Sequence, residues 1–441
     1  MNKPPSAPKA LALIRQLGLA PWRVGLSIVL TLPFTLQANP VGDVLQAALS
    51  HPSVRARQAQ LQAADQDTLA VQARYFGRGN LLLDHTRFED SHVVGYFYPG
   101  QTAPALLDNT ISRVGISYSL PIDLFGVIAA SRDKAQGNRE ALALLARQEQ
   151  LLRLNQAASA LGRKQALLLQ GQALTSQRLR VEASVARIRQ EVALGRTAGV
   201  DQALAESDLA RMLAEEARLQ GQLNDTRADL QDASGQDPEV GTQILATPAW
   251  QEVDPDQTLT VRIAQAHLLS LQASSLEASR NLLPALSVGA DVISHHGGSG
   301  DMTTRAIALR LNVPLELGSF KRADADATRA VAAEEEVAAT RQTARRQWQS
   351  LRSFYNSAQA DAQALAQEVG YRSEVVAVEE KKWELGAQTL EALLRQRRDL
   401  LDAQYRLADA RWRSLNAWSQ AQVLAGTEPA QYIATLNPQT P

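Results

Sequence analysis

Cysteine is absent from the 441-residue sequence, which excludes disulfides, thiolate metal sites, a cysteine nucleophile and a lipid-modified N-terminal cysteine. Aromatic residues are scarce, at 5%, while Ala, Leu, Gln and Arg, all good helix formers, abound. Thin helices packed closely are expected rather than a wide core. Neither sign of charge prevails: 45 Lys and Arg stand against 46 Asp and Glu, which leaves no basic field for nucleic acid. After the first forty residues there is no run of about 18 apolar residues, so no ordinary membrane-spanning helix is expected in the mature chain. The G-x-S-x-G elbow, the G-x-x-x-x-G-K-[ST] phosphate loop and the H-E-x-x-H zinc pair are also missing. The sequence therefore offers no catalytic site, no cofactor site and no resident metal site, and the protein is not expected to be an enzyme.

What is present begins with an address. Lys3, Lys9, Arg15 and Arg23 form a positive leader, Val24 to Leu36 an apolar stretch of 13 residues, and Leu36-Gln37-Ala38 supplies a small residue for cleavage. The stretch contains Pro33 and is too short to span a bilayer comfortably, so residues 1–38 are read as a signal peptide, with a retained anchor as the alternative.

The rest of the chain repeats itself. Leu120-Pro121-Ile122-Asp123-Leu124-Phe125-Gly126 recurs as Val313-Pro314-Leu315-Glu316-Leu317-Gly318, one residue shorter, at an offset of 192 to 193. Leu194-Gly195-Arg196-Thr197 is matched by Leu385-Gly386-Ala387-Gln388, and Ala233-Ser234-Gly235 by Leu424-Ala425-Gly426, both at an offset of 191. The first repeat is placed at 41–235 and the second at 256–426, with a connecting segment at 236–255 and a C-terminal tail at 427–441.

Each repeat carries a pair of alternating segments ahead of its proline motif. Val114 to Leu120, Leu286 to Val292 and Ile307 to Val313 place an apolar residue at every second position, the mark of strands with one apolar and one polar face. The fourth, near Leu81 to Phe88, is less regular. Strands are expected near 80–89, 111–120, 285–294 and 304–313. The stretches between partners are expected to be loops: Glu89 to Asn109, with Tyr96, Phe97 and Tyr98, and the run from His295 to Asp301. The three aromatics suit either an interfacial girdle or the packing of a long external loop. His295 and His296, with Asp301 nearby, offer imidazole and carboxylate to a metal, but neighbours in a flexible loop rarely converge, so a solvated turn is expected.

Everything else reads as helix. Two proline-free stretches, 126–194 and 318–385, would each run roughly 100 Å at ~1.5 Å per residue. The remaining segments, 43–76, 199–233, 256–281 and 390–425, are about half as long. Laid end to end, the first with the last and the middle two with each other, they approach the length of the long helices.

Four amphipathic strands suit a membrane sheet, yet an open sheet in lipid leaves edge groups unpaired at a cost of several kcal/mol each. Several chains must therefore share a barrel, with the long helices extending from one end. In this order of elements the chain resembles the TolC-like outer-membrane efflux proteins. The resemblance covers about residues 41–426 and rests on the duplicated strand-strand-Pro-acid-Gly-long-helix pattern, the Leu-Gly turns, and the Ala-Leu-Ser-His-Pro run at 48–52. It implies a mainly α fold with a membrane β-barrel: a homotrimer whose twelve-stranded barrel sits in outer-membrane lipid on a long helical tunnel through the periplasm. It also implies passive conduction after docking to a periplasmic adaptor (membrane fusion protein) and an inner-membrane pump or ABC transporter.

Gly195 and Gly386 end the two long helices where no proline forces a stop, and glycine accepts the left-handed geometry of a tight reversal. The resemblance makes these tips the surface that adaptors grip, at Leu194, Gly195, Arg196, Leu385, Gly386 and Ala387. It further implies acidic residues six and nine positions after the second tip glycine, ringing a cation-selective constriction. Here those positions hold Ala392 and Arg395, while the first tip keeps an acid, Asp201, at plus six. Arg395 either pairs with Glu391 one helical turn earlier on a solvated face or faces the lumen and offsets the negative ring. An exported periplasmic coiled-coil adaptor or scaffold is the alternative reading, although it would not need duplicated amphipathic strands.

Overall fold

The computed structural model describes residues 40–94, 106–235, 245–298 and 300–436. The leader and Tyr96, Phe97 and Tyr98 lie outside these. In chain order the elements are α1 (Pro40–Ala48), α2 (Pro52–Ala73), β1 (Arg78–Val94), β2 (Leu106–Ile122), α3 (Val127–Ala193), α4 (Gly199–Ser234), α5 (Leu259–Arg280), β3 (Ala285–Gly297), β4 (Gly300–Asn312), α6 (Leu317–Glu384), α7 (Leu390–Ala425) and α8 (Pro429–Leu436).

The long helices follow from spacing. In α3 the buried positions Leu167, Gln170, Leu174, Gln177, Val181, Ser184 and Ile188 recur at alternating steps of three and four, which is the seam of a coiled coil. The short helices match between repeats: α2 and α5 have 22 residues each, α4 and α7 have 36 each.

Their stacking differs from the end-to-end pairing expected from length. α1 meets α4, and α5 meets α7, so each composite helix is built within one repeat. Arg153 of α3 shows the first junction: its Nε donates to Ser53 in the first turn of α2 at 3.0 Å, and its Nη1 lies 3.6 Å from Asp232 near the end of α4. At the second junction Leu259, which opens α5, sits against the Gly426 turn that ends α7. Chain order decides this. α4 turns back at the tip and covers the near half of α3, leaving the far half to α2, which leads into the sheet. The segment read as one helix over 43–76 is also broken at Leu49–His51, because Pro52 can start a helix but not continue one. The C-terminal tail holds α8.

The four strands form one antiparallel sheet in the order β1-β2-β3-β4, so the pairing of β2 with β3 joins the two repeats. The strands are longer than the alternation suggested. Polar ends continue the ladder, and β1 passes through an irregularity between Arg87 and His92. His295 and His296 lie in β3 rather than in a loop, paired with Met302 and Asp301. Being adjacent in a strand they face opposite ways: His295 meets Thr304 at 3.1 Å and His296 meets Asp301 at 2.8 Å.

Among the described residues three cores hold the helices. One gathers α1, α3, α4, α5, α6, α7 and α8 around Trp418 and Tyr432. A second runs toward the tips from Leu167 through Met212 to Leu394, and a small third joins Trp348 of α6 to Ala421 and Leu424 of α7.

Candidate functional site

Two surfaces stand out, the sheet and the helix tips. Along the sheet the register aligns Leu81, Ile116 and Val292, and Tyr118, Ala290 and Ile307, on one face. That face is exposed: Leu83 is 70% accessible, Ile307 87% and Leu309 69%. Soluble proteins do not leave a contiguous apolar face of this kind to water. Its five alternating residues on β2, Val114 to Ile122, cover ~27 Å of strand. At a barrel tilt of ~40° this is about 20 Å across a bilayer, near the ~25 Å apolar band of outer-membrane barrels. Among the described residues β1 and β4 each have one strand neighbour, so both outer edges of the sheet are unpaired. Among the described residues no helix is long and apolar enough to cross a membrane.

The tips are built twice by the same hydrogen bonds. Gly195 N donates to Val192 O at 3.0 Å and Arg196 N to Glu191 O at 2.8 Å; Gly386 N donates to Trp383 O at 3.0 Å and Ala387 N to Lys382 O at 2.8 Å. These are Schellman closures, with φ at +68° for Gly195 and +71° for Gly386. Among the described residues, chain neighbours aside, nothing stands within 4 Å of a Cβ built at either glycine, so the backbone angle, and not space, requires glycine there. Leu194, Gly195, Arg196, Leu385, Gly386 and Ala387 are all exposed, and Leu385 is 83% accessible.

A carboxylate braces each turn, and neither was singled out from the sequence. Glu191 accepts from Arg187 at 2.9 Å and from Thr197 beyond the turn at 3.1 Å. Glu379 accepts from Lys382 at 2.8 Å and from Gln388 at 2.7 Å. Both are held below the usual carboxylate range, Glu191 chiefly by the Arg187 hydrogen bond and Glu379 chiefly by that of Lys382. The bracing is thus complete at neutral pH and is lost as pH falls through these lowered values.

Behind the tips the two hairpins are tied together. Arg397 of α7, whose side chain is 5% exposed, donates to Glu380 of α6 at 2.8 Å and to Ser184 of α3 at 3.2 Å. Arg180 of α3 reaches the same carboxylate at 3.2 Å, and Arg187 lies over the Trp383 ring at 4.8 Å. Asp208 of α4, with no side-chain exposure, receives Arg398 of α7 at 2.9 Å. Arg395 pairs with Glu391 at 3.0 Å, both side chains about two-thirds exposed, and Asp201 lies in the first turn of α4. Among the described residues no group of three or more His, Asp or Glu is placed to hold a metal ion.

No family model and no curated protein matches the sequence. Among solved structures the chain is similar to the outer-membrane channel OprN, with a TM-score of 0.74 at 18% identity over 88% of this chain and 90% of that one. It is similar to the outer membrane protein VceC of Vibrio cholerae, with a TM-score of 0.72 at 17% identity over 88% of this chain and 97% of that one. It is also similar to the open state of the MtrE outer membrane channel of Neisseria gonorrhoeae, with a TM-score of 0.72 at 15% identity over 87% and 88%. The chain therefore has the fold of the outer-membrane channels, the TolC-like architecture that its duplicated sequence resembles.

Proposed function

We propose that the protein is the outer-membrane exit duct of a tripartite efflux or secretion system, located in the outer membrane and reaching into the periplasm. The observation that carries this is the sheet: four strands with an exposed apolar face and two unpaired edges, set on coiled-coil helices of 67 and 68 residues. A lone copy would leave both edges unsatisfied in lipid. Three copies close a twelve-stranded barrel with the apolar face outward, and the helices continue it as a tunnel. The duct does no chemistry; a periplasmic adaptor grips the tips, and an inner-membrane pump or ABC transporter supplies the energy. Mass determination on protein extracted from outer membranes should give three copies. A stable monomer carrying its full β-signature, or recovery in the soluble periplasm as a scaffold would behave, overturns the reading.

In this reading Leu194, Gly195 and Arg196, with Leu385, Gly386 and Ala387, form the docking surface. Replacing Gly195 or Gly386 by valine should cost about 1–2 kcal/mol locally, because a β-branched residue is strained at positive φ. Efflux and crosslinking to the adaptor should fail while the trimer still assembles. Normal transport with both glycines replaced would remove the turns from the mechanism.

Arg395 is proposed to face the lumen near the closed end, with Asp201 and Glu391 as its acidic surroundings. The Glu391 pair, exposed as it is, contributes only a few tenths of a kcal/mol and leaves the guanidinium free to act on passing ions. Arg395→Asp should shift selectivity further toward cations, read as reversal potentials across a planar bilayer under a salt gradient. A wild type that is already strongly cation-selective, and that Arg395→Asp leaves unchanged, would place this residue away from the gate.

A further inference from the structure

The face of the sheet opposite the apolar one neutralises its charges within the chain. Asp84 of β1 meets Arg113 of β2 at 3.4 Å, and Asp291 of β3 meets Arg310 of β4 at 3.0 Å. Arg310 lies flat over Gly289, where a Cβ would stand 2.7 Å from its Nη1, so the guanidinium follows the wall. Arg78 shares this face with Asn80, Leu82 and Asp84 by the alternation of β1. It is exposed, and among the described residues of this face it is the one arginine without an acidic partner.

Arg78 and Arg74 line a cavity of about 560 Å³ where the sheet joins the helices. Ser119, Asn281, Ser287 and Asn312 add polar groups to it, and among the described residues Asp123 is its one carboxylate. That carboxylate is already engaged: its oxygens accept the backbone amides of Ile128 and Ala129 at 3.1 Å each, and the Tyr75 hydroxyl at 3.4 Å. Arg74 has a long contact to the Ser131 hydroxyl at 3.4 Å and adds to the positive field at Glu277, whose carboxylate is held by Ser131 and by Lys134 at 3.0 Å. Donors and positive charge therefore remain in the cavity with no uncommitted acid among the described residues.

We infer that the foot of the sheet is an anion-receiving site, at which Arg78, with Arg74 beside it, takes a phosphate, sulfonate or carboxylate group on a molecule in the bore. The inference rests on the duct reading, in which this face lines the lumen and three copies set three Arg78 side chains around it. A guanidinium offers a fork of donors matched to such oxyanions, and rings of arginine favour anions in pores. The paired charges higher on the wall do not compete for the guest.

The same chemistry is available from a phospholipid headgroup, so the test separates the two sources. Full-length protein in a phosphatidylcholine bilayer is exposed from the barrel side to naphthalene trisulfonate, which reaches the site without passing the tips, and in parallel to the trivalent cation spermidine. The trisulfonate should block current where spermidine at equal concentration does not. Arg78→Glu and Arg78→Gln should raise the blocking concentration at least tenfold, and Arg78→Lys should retain most of the block. The block should persist in phosphatidylglycerol bilayers. A conducting wild type whose block is indifferent to Arg78→Glu overturns this inference alone. Block that vanishes in phosphatidylglycerol gives the site to lipid and overturns it for cargo. A wild type that forms no channel overturns the duct reading with it.

Discussion

Replacing Glu380 by alanine should destabilise the tip half of the molecule by about 3 kcal/mol, a large effect for one surface-facing carboxylate. Glu380 accepts two hydrogen bonds from the buried Arg397, at 3.2 and 2.8 Å. Without it that guanidinium keeps, among the described residues, the Ser184 hydroxyl alone. The cost comes from stranding a buried charge, not from the worth of the pair, so removing both partners should be far milder. Glu380→Gln combined with Arg397→Met should recover most of the loss. Thermal melts in detergent, with limited proteolysis near the tips, provide the readout. A single variant that melts and cuts like the wild type would show that the network does not tie α6 and α7 to α3.

Trp418→Ala should cost about 3–5 kcal/mol, as emptying an aromatic site in a packed core does. Trp418 is 2% exposed, in the cluster where Val44 and Leu45 of α1, Leu154 of α3 and Tyr432 of α8 converge. Its ring stands 5.4 Å from that of Tyr432, whose hydroxyl burial pushes well up from its usual value and which meets Ser419 at 2.5 Å. The Trp418 indole N–H has no acceptor among the described residues, so Trp418→Phe gives up volume but no hydrogen bond and should cost under about 1.5 kcal/mol. Equal losses in the two variants would mean that the indole nitrogen is bonded in solution.

The long helices were legible because nothing interrupts them: no proline falls between Val127 and Ala193, and the left-handed turns need glycines that stand out in the sequence. The strands were legible where alternation is clean, as from Val114 to Leu120, and were underestimated where polar residues continue the ladder, as through His295 and His296. Length alone could not say which half-helices stack, since each repeat supplies one of 22 and one of 36 residues and either combination reaches the same length; chain direction at the tips settles it. The Arg397 network was missed because arginine on a helix reads as surface. A signal was nevertheless present, since Leu390, Leu394, Arg397 and Leu401 step by four, three and four along α7, which puts Arg397 in the seam. Asp208 sits likewise between Ala205 and Met212 on α4. A charge at a seam position needs a partner there, so the heptad spacing by itself points to a buried ion pair.

The matched lengths of the half-helices, 22 and 36 residues in each repeat, restrict how such a gene can change. A residue inserted into α3 moves its tip by ~1.5 Å and rotates every seam position beyond it, so the mate on α4 and the neighbouring hairpin fall out of step. Whole seven-residue steps, ~10 Å each, added to a long helix, to its short companion and to the same places in the other repeat keep both the register and the level of the tips. Lineages of this fold that come to carry longer helices must therefore lengthen in paired, quantised increments, and homologues of different reach should differ by multiples of seven at corresponding positions of both halves.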